Sequence, residues 1–104
     1  MALTRDFRET IKARADGDAS FRAALLSDAV ELLLSGDVET GKAILRDFIN
    51  ATIGFERLAE LVETSPKSLM RMFGPKGNPR ADNLFGVISR LQKETGVHLA
   101  VAAA

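Results

Sequence analysis

The 104-residue chain has no cysteine, no tryptophan and no tyrosine, a single histidine, and only three prolines. Without cysteine there can be no disulfide, no thiolate nucleophile and no thiolate-bound metal. A lone imidazole, His98, excludes multi-histidine metal sites and paired-imidazole chemistry. All six aromatic residues are phenylalanines, so the amphipathic rings that stack on single-stranded bases are nearly absent. No apolar run approaches the length of a membrane span. The opening MALTRDFRETIKARAD is charged throughout and lacks the apolar core of a signal peptide. Together these absences predict a soluble cytoplasmic protein with no cofactor, no metal and no enzymatic machinery.

Charge of one sign is missing only locally. Fourteen basic residues balance fourteen acidic ones, and the hydrophobic fraction of 46% is ordinary for a domain with a packed core. Residues 1–64 hold eight Lys/Arg against twelve Asp/Glu, whereas residues 65–104 hold six against two. The acidic first part and the basic second part suggest faces with different partners.

Hydrophobic spacing predicts a string of helices. TRDFRETIKARA sets Phe7 and Ile11 four apart, with Thr4 as a cap, and ADGDAS breaks that helix. SFRAALLSDAVELLLSG follows with a broad apolar face through Phe21, Leu25, Ala29 and Leu33, ended by Gly36. Asp37 caps VETGKAILRDFINATI, whose stripe runs through Ala43, Ile44, Phe48 and Ile49 towards Ile53. After Gly54, FERLAELV keeps Leu58, Ala59 and Val62 on one side. Ser65 followed by Pro66 is a strong helix start for PKSLMRMF, and Gly74-Pro75 ends it. A last helix, ADNLFGVISRLQKETG, runs through Leu84, Val87, Ile88 and Leu91. The β-branched, partly alternating VHLAV admits a short C-terminal strand. The fold class is therefore all-α, with five to six helices. Residues 1–36 form an N-terminal helical extension packed as one domain with a functional region over 37–104.

The window SPKSLMRMFGPKGNPR, residues 65–80, gathers all three prolines, two of the three methionines and four basic residues, with no acid. Its first half completes a pair of short helices joined by the three residues ETS, the helix-turn-helix unit whose second helix enters the DNA major groove. At about 100° per residue, Leu69, Met72 and Phe73 gather on one side of that helix. Lys67 and Arg71 fall opposite, flanked by Ser68 and Met70. Arg71 can pair with guanine, Lys67 with guanine or phosphate, Ser68 with a phosphate or base, and Met70 with a thymine methyl. Ser65 and the free N–H groups of the first turn can hold a phosphate. Ala59 supplies the small side chain that a close helix crossing needs. In the second half, Lys76, Asn78 and Arg80 lie along a loop stiffened by Pro75 and Pro79, donors suited to a phosphate backbone.

Blander explanations compete at several positions. The helix pair could belong to an ordinary bundle, and Lys76 and Arg80 could be solvated loop residues. GPKG lacks the spacing and preceding strand of a phosphate-binding loop. Asp16, Asp18, Asp37 and Glu39 sit at helix starts, where carboxylates meet the helix dipole, so they are capping residues before metal ligands or acid–base pairs. His98 is a packing or surface residue before a catalytic one.

The run GFERLAELVETSPKSLMRMFGPKGNPRADNLFGVISRLQ resembles the Xre/Cro-type helix-turn-helix of addiction-module antidote proteins, the HigA-like antitoxins. Leu58, Ala59, Ser65, Ser68, Leu69, Arg71, Gly77, Asn78, Pro79, Leu84, Val87, Ile88 and Leu91 match the family pattern, and the G-N-P after the helix is its most specific part. The likeness covers roughly residues 28–101; Glu63 stands where the family has its turn glycine, and Met70 where it has tyrosine. The resemblance implies a lambda-repressor-like fold, a sequence-specific DNA-binding transcriptional regulator repressing its own operon, and neutralisation of a RelE-like toxin. One reading helix covers few base pairs, so a homodimer on a palindromic operator in double-stranded DNA is expected. The rival reading is a protein-interaction module, whose acidic N-terminal helices face a basic partner and which binds little DNA.

Overall fold

Six helices make up the regular structure of the described residues in the computed structural model: α1 (Arg5–Gly17), α2 (Ala19–Leu34), α3 (Val38–Ala51), α4 (Phe55–Leu61), α5 (Pro66–Met72) and α6 (Ala81–Thr95). The description covers residues 5–104, without the side chains of residues 5–8, 15 and 16. The cap predicted at Thr4, the packing of Phe7 and the carboxylate of Asp16 lie outside it.

Side-chain caps set the boundaries. The Asp18 carboxylate accepts from the Phe21 N–H at 3.1 Å and starts α2. Asp37 accepts from the Thr40 N–H at 3.3 Å and starts α3. Both are the capping roles expected of them. The interruption predicted across ADGDAS shrinks to Asp18 alone, because this one extended residue both ends α1 and caps α2.

One apolar cluster runs through the molecule: Leu26 and Ala29 of α2, Leu45, Phe48 and Ile49 of α3, Phe55, Leu58 and Ala59 of α4, Leu69 and Phe73, then Val87, Ile88 and Leu91 of α6, with Val97 beyond. The buried line of α3 differs from the predicted stripe. Leu45 is fully buried, whereas Ala43 and Ile44 are only partly so. At helical spacing this line passes through Lys42, a charged residue in an apolar register.

No strand forms among the described residues, so the short C-terminal strand that VHLAV admits is not realised. A ladder needs a second extended segment. Here the chain lies on α6 instead, with Val97 in the core, His98 exposed, and the Leu99 N–H donating to Gln92 Oε1 at 2.9 Å. The alternation in this segment thus reflects packing on a helix. Among the described residues no helix is long and apolar enough to cross a membrane.

Candidate nucleic-acid interface

α4 ends in a two-bond turn that sets the direction of α5. The Thr64 N–H donates to the Ala59 carbonyl at 3.0 Å and the Glu63 N–H to the Glu60 carbonyl at 3.4 Å. This is a Schellman closure, and it puts Glu63 in the left-handed region at φ 57°. Ser65 then caps α5, its Oγ accepting from the Ser68 N–H at 3.1 Å, with Pro66 in the first turn. Its hydroxyl also donates to Ser68 Oγ at 2.8 Å. Ser65 is exposed, but the one proton its hydroxyl can donate is already used within the helix start.

The helix divides as its periodicity requires. Leu69 and Phe73 are buried and Met72 is half-buried, while Lys67, Ser68, Met70 and Arg71 are exposed. Phe73 packs against Phe55 at the start of α4, with ring centroids 6.4 Å apart and planes inclined by 55°. This tilted aromatic contact joins the two helices opposite the exposed row. Met70, at 49% exposure, leaves an apolar spot between two cations. Ala59 is buried, as a close crossing of α4 and α5 demands.

After α5 the chain turns back. The Gly77 N–H donates to the Gly74 carbonyl at 3.0 Å. A Cβ on Gly77 would lie 2.1 Å from the Arg71 carbonyl oxygen and 2.5 Å from that of Met72, so the loop is seated directly on the last backbone turn of the helix. Lys76, Asn78 and Arg80 are exposed along it. Arg80 Nη2 is 3.1 Å from Asp82 Oδ2, an acid just past the acid-free window. Such an exposed pair holds its partners weakly and leaves the guanidinium free to exchange it for a phosphate.

Two residues of this site were not foreseen. Lys42 of α3, 2% exposed, donates from Nζ to the Gly74 carbonyl at 3.2 Å and to the Gly77 carbonyl at 2.5 Å. The same ammonium is 3.1 Å from Glu39 Oε1. Arg46 Nη1, one turn further, donates to the Phe73 carbonyl at 3.4 Å. The sequence carried one signal for this: a lysine three residues before Leu45, on the buried line, must find acceptors somewhere. Nothing in the spacing says that they lie more than thirty residues away.

Compared with known proteins, the chain matches no family model, no curated protein and no solved structure.

Proposed function

We propose that the protein is a sequence-specific DNA-binding transcriptional regulator, an antitoxin-like autorepressor of the Xre/Cro helix-turn-helix kind, working in the cytoplasm as a homodimer. One observation carries the reading. The α4–turn–α5 pair exposes Lys67, Ser68, Met70 and Arg71 opposite buried Leu69 and Phe73, and runs straight into a loop exposing Lys76, Asn78 and Arg80. α5 supplies base contacts and the loop supplies phosphate contacts.

Arg71 and Lys76 separate the two roles. A target duplex is selected from a random library, and salt titrations of binding compare it with a scrambled duplex for wild type, Arg71→Ala and Lys76→Ala. Arg71→Ala loses about 1–3 kcal/mol on the selected duplex and relaxes preference at one base position. Lys76→Ala weakens both duplexes alike and lowers the salt slope by about one counterion. Equal binding of all three proteins to both duplexes would show that α5 reads no sequence.

A second reading has its own observation. Leu34, 67% exposed, and Val38, 44% exposed, flank the α2–α3 turn beside the exposed carboxylates of Asp37 and Glu39. An apolar pair with an acidic rim suits a basic protein partner, the toxin-neutralising or adaptor role. A selection that enriches no duplex would leave this reading as the function.

A further inference from the structure

We propose that Lys42 is the positioning residue of the loop that presents Lys76, Asn78 and Arg80, so that α3 controls the phosphate grip while touching no DNA itself. The proposal rests on the reading of this loop as a DNA contact.

The case begins with donors and acceptors. An ammonium has three N–H donors, and Lys42 has three acceptors within bonding distance: the carbonyls of Gly74 and Gly77 and the Glu39 carboxylate. The loop is short of donors of its own, because Pro75 and Pro79 have no N–H. Gly74 and Gly77 are half-buried; the Gly74 carbonyl already accepts from the Gly77 N–H, and Lys42 of α3 adds a donor to each of the two carbonyls. The two carbonyls held by Lys42 lie in the Gly74–Pro75 and Gly77–Asn78 peptides, so one ammonium ties down both ends of the short segment that carries the loop's first cation, Lys76. Arg46, on the Phe73 carbonyl, extends the hold to the end of α5.

A direct role for Lys42 in binding DNA is excluded by its 2% exposure. What remains is control of geometry. With Lys42 gone, the carbonyls of Gly74 and Gly77 lose the donor that ties them to α3, and the turn held only by the Gly77 N–H on the Gly74 carbonyl opens more often to water, taking the side chain of Lys76 with it. The Cα of Gly77 stays against the backbone of α5, while its N–H opens as the Gly74 carbonyl it donates to is released. The loop therefore loosens between two fixed ends while the apolar core is untouched.

The test compares wild type, Lys42→Met and Glu39→Gln by amide hydrogen exchange without DNA and by salt titration of binding to a scrambled duplex. In Lys42→Met the Gly77 amide exchanges about tenfold faster, while amides of Leu45, Leu58 and Ile88 keep their relative protection. Binding to the scrambled duplex weakens and its salt slope falls by about one, as if Lys76 were lost, with base preference on the selected duplex unchanged. Glu39→Gln behaves as wild type in both arms, because the ammonium keeps its two carbonyls. Unchanged Gly77 exchange in Lys42→Met overturns the proposal, and so does a loosened loop with wild-type binding. Should Lys42→Met fail to fold, nitrogen-detected NMR of the wild-type lysines decides. Ammonium protons of Lys42 that are protected relative to Lys67 and Lys76 support the cage, and equal exchange of all three overturns it. A wild type that binds no duplex ends the DNA reading and the phosphate half of the proposal, while the exchange arm still decides whether Lys42 holds the loop.

Discussion

α5 and the loop that follows it adjoin in sequence and serve the same proposed surface, yet they are held by different physics. α5 is held by burial: Leu69 and Phe73 enter the common core, and Phe73 meets Phe55. The loop has no buried apolar anchor between Gly74 and Arg80. It is held by carbonyls bonded to Lys42 and by a glycine seated on the end of α5. Apolar burial is roughly proportional to area and tolerant of small shifts, whereas buried hydrogen bonds and backbone contacts fail abruptly when a partner moves. α5 should therefore yield gradually to substitution and the loop all at once.

The sharpest blow to this contrast is Gly77→Ala. The new methyl would sit 2.1 Å from one carbonyl oxygen and 2.5 Å from another, both backbone atoms that move only if the last turn of α5 unwinds. We expect a loss of about 3 kcal/mol, at the upper end for overpacking, read as a drop in denaturant midpoint at constant slope. A variant as stable as wild type would place the loop away from α5 and dissolve the distinction.

Next in size is Ala59→Leu, which attacks the apolar side of the comparison. Ala59 is buried in the common core, and its carbonyl receives the Thr64 N–H of the turn that leads into α5. Extra methyl groups there push the two helices apart at a cost of roughly 2 kcal/mol. The damage should spread over α4 and α5 and leave the hydrogen bonds of Lys42 intact. Thermal unfolding at the wild-type temperature would mean that the helices do not cross at this residue.

These two positions also mark what was legible beforehand. Ala59, Ser65 with Pro66, and the inward trio of Leu69, Met72 and Phe73 follow from local spacing and capping chemistry, so helix order and the faces of α5 could be derived residue by residue. VHLAV admits a strand on its pattern alone, because alternation serves equally well to lay a chain on a helix. Asp82, outside the acid-free window, escaped notice as the partner of Arg80 because the window was drawn by composition. Lys42 was missed for a deeper reason. Its acceptors are backbone carbonyls, which every residue has, so no side-chain pattern near Gly74 or Gly77 announces them.

The smallest expected effect comes from the turn between the helices. The turns after α2 and α4 close with the same pair of bonds. After α2, the Asp37 N–H donates to the Leu32 carbonyl at 2.9 Å and the Gly36 N–H to that of Leu33 at 3.1 Å. Gly36 takes its φ of 94° without steric cost, but Glu63 takes 57° with a side chain that disfavours it. An ordinary L residue in that region costs about 1–2 kcal/mol, and the extra freedom of glycine in the unfolded chain cancels part of the gain. Glu63→Gly should therefore stabilise the protein by about 0.5 kcal/mol, a rise of roughly 3 °C in Tm. The substitution also removes an exposed carboxylate two residues before the cap of α5. Under the DNA reading this lessens repulsion of phosphate, so binding to the scrambled duplex tightens by up to about twofold at low salt and the gain fades as salt rises. Glu63→Gln separates the two causes, since it keeps the strained backbone and loses the charge: it should match the tighter binding without the higher Tm. If the glycine variant gains no stability, the left-handed conformation at Glu63 is not strained. If neither variant alters binding at low salt, the turn lies away from any phosphate backbone that the protein binds.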